Sequence, residues 1–474
     1  MDIESKDKEK QALCNWIERN APRFTQLSDE IWANPELSYQ ESFSSKLQAD
    51  FLAQEGFHIT WGIGGLKTAF CAEWGNGKPI LGFAGEYDAL ANLSQKTLPY
   101  PEPLQEGAAG HGCGHNLLGV GAMAAACALK AWLEENHVAG CIRYYGCPAE
   151  ETGSGKSFIA RAGAFDDLDA AFNFHPFSVN FACKGSIVGY MDLTFRFHGT
   201  SAHAGATPHL GRSALDAVEL MNVGVNYLRE HVSPDVRIHY VITKGGDAPN
   251  IVPAEAEVWY FLRAHLPETM QNLYQRVEKI AQGAALMTET SMNVTLNGVM
   301  ANLLNNKTLA DVQYANMQLI GSIPFTPEEY AFADQINRAY PSDAAQGIAD
   351  SFHVPLSVLE KSSLAADNYP SFDEGVVYTF STDVGDLSWK APLSLLMTAC
   401  FPTHVAWHTW GVVAAVGTSI GHKGMLHAAK IMALSGFDLF TQPQLLAQVR
   451  CEFEAARQQH TPPAPLPPHI QPPV

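Results

Sequence analysis

Three short apolar runs, at 80–84, 142–146 and 170–174, each end in a cluster of carboxylate or imidazole side chains, and this pattern restricts the fold more than any other feature of the sequence. The first runs into Gly85-Glu86-Tyr87-Asp88, the second into Cys147-Pro148-Ala149-Glu150-Glu151, and the third into His175-Pro176. Apolar runs of this length, separated by helical periodicity at 117–135 and about 156–163, read as buried strands of a mainly parallel sheet. Open α/β sheets assemble ligand sites at the carboxyl ends of their strands, so these polar clusters are predicted to converge there. A fourth cluster, His111-Gly112-Cys113-Gly114-His115-Asn116, occupies a glycine-rich loop just before the first helical stretch.

The residue types in these clusters point to metal chemistry. Cys113 and His115 are two apart and flanked by glycines, so the backbone can turn sharply and present a thiolate and an imidazole to one point. Sulfur and imidazole together favour zinc, and manganese also accepts imidazole and carboxylate. Taken alone, the hexapeptide also fits, less well, a glycine-rich turn around an incidental buried cysteine. The pair Glu150-Glu151 cannot point both carboxylates the same way, which suggests that one ligates metal while the other serves as general base. Most Glu-Glu pairs are solvated surface, but this one ends a buried strand. A single histidine is more often structural than a ligand; His175 ends a strand beside three other candidates. Two divalent cations would account for this many ligands and would bring the pKa of a water to about 7. A redox role for Cys113 is disfavoured, because it has no CxxC partner.

At 474 residues the chain exceeds what one hydrophobic core usually serves. Its character changes near Lys184. Residues 191–199 alternate, with Leu193, Phe195 and Phe197 on one face and Asp192, Thr194 and Arg196 on the other, as in a half-buried strand. Helical periodicity at 213–230, strands at 236–243 and 257–263, a helix at about 268–287 and a strand at 292–296 follow. The order β-α-β-β-α-β is ferredoxin-like and predicts an inserted domain over 189–301, within a catalytic domain made of 1–188 and 302–474. Residues 341–375 are polar and weakly periodic and read as an extended loop. A helix is predicted at about 423–435, and the proline-dense stretch 461–474 is expected to be extended or disordered.

The formal charge is −19, from 30 basic and 49 acidic side chains, with no basic cluster. Nucleic acid and anionic membrane are therefore not expected as partners. The apolar stretch 117–133 contains Lys130 and is too short to span a bilayer, so it reads as a buried helix. Nine scattered cysteines without a CxxC pair suit free thiols. The N-terminal MDIESKDKEK lacks the apolar core of a secretory signal. The expected location is cytoplasmic.

The stretches HGCGHNLLG, CPAEETGSGK, HLGRSALDA, STDVGDLSWK and GTSIGHKGM resemble the metallo-amidohydrolase family that includes aminoacylases, hippurate hydrolase and the plant indole-acetyl-amino-acid hydrolases, and the likeness covers nearly the whole chain. It implies an α/β metallo-exopeptidase catalytic domain carrying an inserted ferredoxin-like lid or dimerisation domain, and two divalent metal ions, zinc or manganese. By position it implies Cys113, His115, Glu151 and His175 as ligands and Glu150 as base. A further ligand is a histidine late in the catalytic domain: His408 has the better register counted back from the last helix, with His422 the alternative. The resemblance makes His203, in Ser201-Ala202-His203-Ala204, an oxyanion stabiliser that often reaches across a dimer interface, and makes Asn250 and Arg263 the grip on the substrate carboxylate. Arginine suits that task through its planar fork, although a surface charge on a strand is the plainer reading of Arg263. Many relatives carry His-x-Asp where this chain has Glu86-Tyr87-Asp88. Asp88 can still orient a ligand, but Glu86 cannot replace an imidazole unchanged, so the two metal sites are expected to differ in affinity, down to a single-metal enzyme.

The function implied is metal-dependent hydrolysis of an amide next to a free carboxylate in a small N-acyl amino acid. The leading substrate is p-aminobenzoyl-glutamate, with a dipeptide or another N-acyl amino acid as the alternative, by a homodimer or a heteromer with a related hydrolase subunit. A metal-stabilised but catalytically silent binding or regulatory subunit is the alternative of a different class.

Overall fold

The structure, a computed structural model, describes residues 3–472. In chain order its strands are β1 (His58–Trp61), β2 (Phe70–Asn76), β3 (Ile80–Glu86), β4 (Gly140–Cys147), β5 (Ala170–Phe177), β6 (Phe181–Ala182), β7 (Ser186–Ile187), β8 (Gly189–His198), β9 (Arg237–Lys244), β10 (Glu255–Ala264), β11 (Ser291–Met300), β12 (Val377–Tyr378) and β13 (Leu393–Ala399). The larger sheet has the order β1-β2-β4-β3-β5-β13-β6. Its centre, β4-β3-β5-β13, is parallel, and every residue of β3 and β13 is buried, as strands covered on both faces require.

The parallel centre is flanked by antiparallel edges. β1 pairs antiparallel with β2, β2 with β4, and β6 with β13. The link at 62–69 is too short for the crossover that a parallel pair needs, so the chain simply reverses. The helix His115–Glu135 is apolar and long enough to cross a membrane, but 89% of its most apolar window is buried inside the protein. It packs against the helices Ile3–Ala33 and Ser419–Thr441 and against β3.

β8, β9, β10 and β11 form a separate antiparallel sheet of order β11-β8-β10-β9, packed against the helices Ala214–Leu228 and Pro267–Met287 in the ferredoxin-like arrangement. Along β8 Leu193, Phe195 and Phe197 are buried and the residues between them are more exposed. The two strands that join this sheet to the rest of the chain lie close together: a side chain at Gly189 would meet the Met300 carbonyl at 2.6 Å. β12 pairs with β7 and brings the segment 377–388 to the root of this lid. There Asp386 Oδ2 accepts hydrogen bonds from Ser157 Oγ at 2.8 Å and from the Ala301 amide at 3.3 Å.

Three expectations are corrected. The stretch 341–375 is not one extended loop, since it contains the helices Ala344–Phe352 and Leu356–Leu359. The first buries Ala345, Ile348 and Ala349, an apolar face too short to register as periodicity. The helix expected at about 423–435 starts earlier, at Ser419, because the Thr418 side chain accepts from the Ile420 amide, so His422 falls within its first turn. The proline-dense tail is packed down rather than disordered through the described residues: Leu466 is buried, and Arg161 Nη1 donates to the carbonyls of Pro467 and Ile470 at 2.8 and 2.7 Å. All nine cysteines are unpaired.

Candidate metal centre and active site

The glycine-rich loop works by close approach. A side chain at Gly112 would meet Leu93 at 2.5 Å and the His408 Cα at 3.4 Å, and one at Gly114 would meet Pro176 at 3.0 Å. Gly114 also has φ 77°, a conformation that glycine adopts without strain. The His408 amide donates to the Gly112 carbonyl at 2.8 Å, which carries that late histidine to the loop. His408 itself has φ 61°, a strained backbone of the kind that surrounding structure enforces at functional sites.

Two triads of donors result, and they share Cys113: Cys113, His115 and His175 in one, Cys113, Glu151 and His408 in the other, with the donor atoms of each triad within 4.8 Å of one another. Cys113 Sγ lies 3.3 Å from His175 Nε2, Glu151 Oε1 lies 3.9 Å from His115 Nε2 and Glu151 Oε2 lies 3.3 Å from His408 Nε2. The outer nitrogens are spoken for. His175 Nδ1 donates to the Pro176 carbonyl at 2.8 Å, and His115 Nδ1 faces Asp88 Oδ1 at 3.0 Å, so each ring turns Nε2 inward, the nitrogen a cation would take.

These residues fit a pair of divalent cations. His115 Nε2 and Glu151 Oε1 are buried without a hydrogen-bond partner, an expensive condition unless a ligand satisfies them. Burial, and then the neighbouring Glu151, push the Cys113 thiol well above its ordinary range. A bound divalent cation would favour the thiolate that ligation needs.

The turn carrying the two glutamates is held from outside. Ala149 and Ser154, with φ of 59° and 60°, bracket the short helix Glu150–Gly153. Glu41 Oε1 accepts from the Ala149 amide at 2.9 Å, and Asp88 Oδ2 accepts from the Glu151 amide at 2.9 Å. Glu150 is only partly exposed and stands within the same 4.8 Å limit of Glu86 and His115. Burial, reinforced by Glu86, Asp383 and Glu151, holds its carboxyl well above the ordinary range, which suits a group that takes up a proton and later gives it away.

Glu86, which forms a third donor group with His115 and Glu150, is also engaged by a lysine. Its Oε1 pairs with Lys156 Nζ at 2.7 Å and its Oε2 lies 3.3 Å from His115 Nε2. Lys156 Nζ pairs with Asp383 Oδ1 at 2.6 Å, and the Lys156 amide donates to Asp383 Oδ2 at 2.7 Å. Lys156 and Asp383 are fully buried. Neither stood out in the sequence, although both lie inside the family-like stretches CPAEETGSGK and STDVGDLSWK. Glu41 carried no local signal at all.

His422 is elsewhere: its Nε2 pairs with Asp29 Oδ1 at 2.8 Å. The lid residues make their contacts away from the triads. His203 Nδ1 accepts from the amides of Gly205 and Ala206 at 3.2 and 3.1 Å, which leaves Nε2–H as an exposed donor. The Asn250 carbonyl accepts from the Ala204 amide at 3.0 Å. Arg263 Nη1 donates to Ser381 Oγ at 2.8 Å, with its guanidinium 5.8 Å from the centre of the Tyr190 ring.

Comparison with known proteins places this geometry among relatives. Residues 186–288 match the family model described as a peptidase dimerisation domain. The chain is 41% identical to a p-aminobenzoyl-glutamate hydrolase subunit of Escherichia coli K12, over 96% of this chain and 97% of that one. It is 30% identical to the Xaa-Arg dipeptidase of Mus musculus, over 95% and 93% of the two chains. Among solved structures, a dinuclear metal-binding peptidase of the M20 family from Bacillus subtilis has the same fold, with a TM-score of 0.59 at 16% identity, over 90% of this chain and 99% of that one.

Proposed function

This chain belongs to the M20 family of metal-dependent peptidases and amidohydrolases, and we propose that within it the chain hydrolyses p-aminobenzoyl-glutamate to p-aminobenzoate and glutamate. The observation that carries the reading is the pair of donor triads sharing Cys113, with Glu150 beside them at the end of β4. The similarity to a p-aminobenzoyl-glutamate hydrolase subunit over almost the full length of both chains supports the substrate.

Cys113, His115 and His175 would hold one divalent cation, and Cys113, Glu151 and His408 the other, zinc and manganese both suiting these donors. When bound, such a pair polarises a carbonyl and acidifies water. Glu150 takes the proton of the attacking water as its oxygen adds to the amide carbon. The C–N bond then breaks, and Glu150 returns that proton to the departing amine of glutamate. Asp88 holds the His115 ring and the Glu151 backbone in register. His203, with its Nε2–H exposed, is suited to donate to the developing oxyanion once the lid or a partner's lid brings it near, an interaction worth about 3 kcal/mol. Asn250 and Arg263 are suited to grip the carboxylate.

The dimerisation-domain match supports assembly through the lid, either with a second copy or with a related hydrolase subunit. Nine unpaired thiols suit a cytoplasmic setting. The likeness to a dipeptidase favours a second reading, hydrolysis of a dipeptide on the same centre. The deciding experiment is release of p-aminobenzoate by the purified chain, alone and with a candidate partner subunit, after loading with zinc or manganese and alongside Xaa-Arg dipeptides. Turnover of the dipeptides and none of the aryl amide would replace the first reading with the second.

A further inference from the structure

One group of side chains next to the metal centre takes no part in the chemistry above. Trp407 borders a member of each triad: it precedes His408 in the chain, and its indole stands edge-on to the His175 ring, with centroids 4.7 Å apart and planes at 68°. Its Nε1–H donates to the Pro176 carbonyl at 2.8 Å, which fixes the ring plane. Two more rings meet it from separate segments. Phe352, at the end of the helix Ala344–Phe352, is 4.9 Å away at 86°, and Phe380, just after β12, is 6.2 Å away at 80°. Phe352 and Phe380 are 6.0 Å apart.

The rings behind this group, Phe177 and Phe181, are buried, as core aromatics should be, whereas Phe380 is 36% exposed and Phe352 and Trp407 are partly exposed. The plainer account of Phe380 is a rim side chain resting on Tyr378. Phe380 also joins two other partly exposed rings, Phe352 and Trp407, and Trp407 touches a candidate metal-ligand histidine. Aromatic rings pair at centroid separations of 4.5–7 Å, and Trp407, in contact with the candidate ligand His175, carries such a surface to the edge of the donor cluster.

We propose that Phe352, Phe380 and Trp407 form the subsite for a planar aromatic acyl group and set the acyl specificity of the hydrolysis; the assignment rests on the reading given above for the centre. It gives a purpose to the segment 341–375, which supplies Phe352. Leucine at Phe380 or Phe352 keeps an apolar side chain of similar bulk but removes the ring pairing.

The test compares wild type, F380L and F352L in two measurements. The first is kcat/KM for p-aminobenzoyl-glutamate relative to N-acetyl-glutamate, a ratio that cancels general loss of folded or metal-loaded enzyme. Each variant is expected to lower it about fivefold, the factor for losing one ring contact. The second is equilibrium binding of p-aminobenzoate itself, expected to weaken by a similar factor. Unchanged ratios and unchanged binding in both variants would overturn the subsite. Wild-type failure on both glutamate amides would instead remove the hydrolytic reading, and the binding measurement would still decide the subsite.

Discussion

Asp88 and His115 face each other across 3.0 Å, Oδ1 to Nδ1, deep in the protein. The other oxygen of the same carboxylate accepts from the Glu151 amide and from Ser38 Oγ, at 2.9 and 2.8 Å. One buried side chain thus orients a ligand of each triad. Burial alone would raise the Asp88 carboxyl, but the His115 imidazole and these hydrogen bonds outweigh it and pull it down to about 2.

Replacing Asp88 by Asn keeps the shape and removes the charge. Metal affinity should fall about 10- to 100-fold, measured by competition with a chelator. Unaltered affinity would show that the histidine and the glutamate hold themselves in place.

Glu150→Gln should bind metal like wild type while losing turnover about 100- to 10,000-fold, the range for a general acid or base. His115→Ala should lose metal. Metal analysis beside rate measurement separates the two, and a fully active Gln variant would remove the proposed base.

The late histidines make a paired comparison. His408→Ala should reduce the bound metal, while His422→Ala, which breaks only the contact with Asp29, should leave it at the wild-type level. The opposite pattern would transfer the ligand role to the helix Ser419–Thr441.

Lys156 neutralises two buried carboxylates. Lys156→Met leaves Glu86 and Asp383 uncompensated and should cost about 3–5 kcal/mol of stability. Adding Asp383→Asn should recover part of that loss. Denaturant unfolding of the single and double variants checks it, and additive losses would contradict the pairing.

His427 is buried and donates from Nε2 to Asn368 Oδ1 at 2.8 Å. Burial, helped by Lys430, lowers its imidazole from 6.5 to about 3. Below 6.5 the unfolded chain takes up a proton there and the folded one does not, so the contribution of His427 to stability is full above that pH and declines as pH falls toward 3. The slope for one such proton is at most about 1.4 kcal/mol per pH unit. His427→Gln should flatten the stability profile by that amount between pH 6 and 4. An identical profile would mean that the site already protonates when folded.

Much of this was legible in the chain itself. The continuous apolar runs of β3, β4 and β5, the alternation along β8 and the glycines around Cys113 are local signals, because burial on two faces, burial on one face and a tight turn each leave their own spacing. They were enough to give the fold class and to nominate the donors at the strand ends. Local spacing carries no information on which distant segments touch. That Cys113 serves both triads, that Glu86 is turned to Lys156, and that Phe352, Phe380 and Trp407 meet, were decided only when distant segments of the chain docked together around the glycine-rich loop. Those are distances through space between residues far apart in sequence, and packing alone sets them.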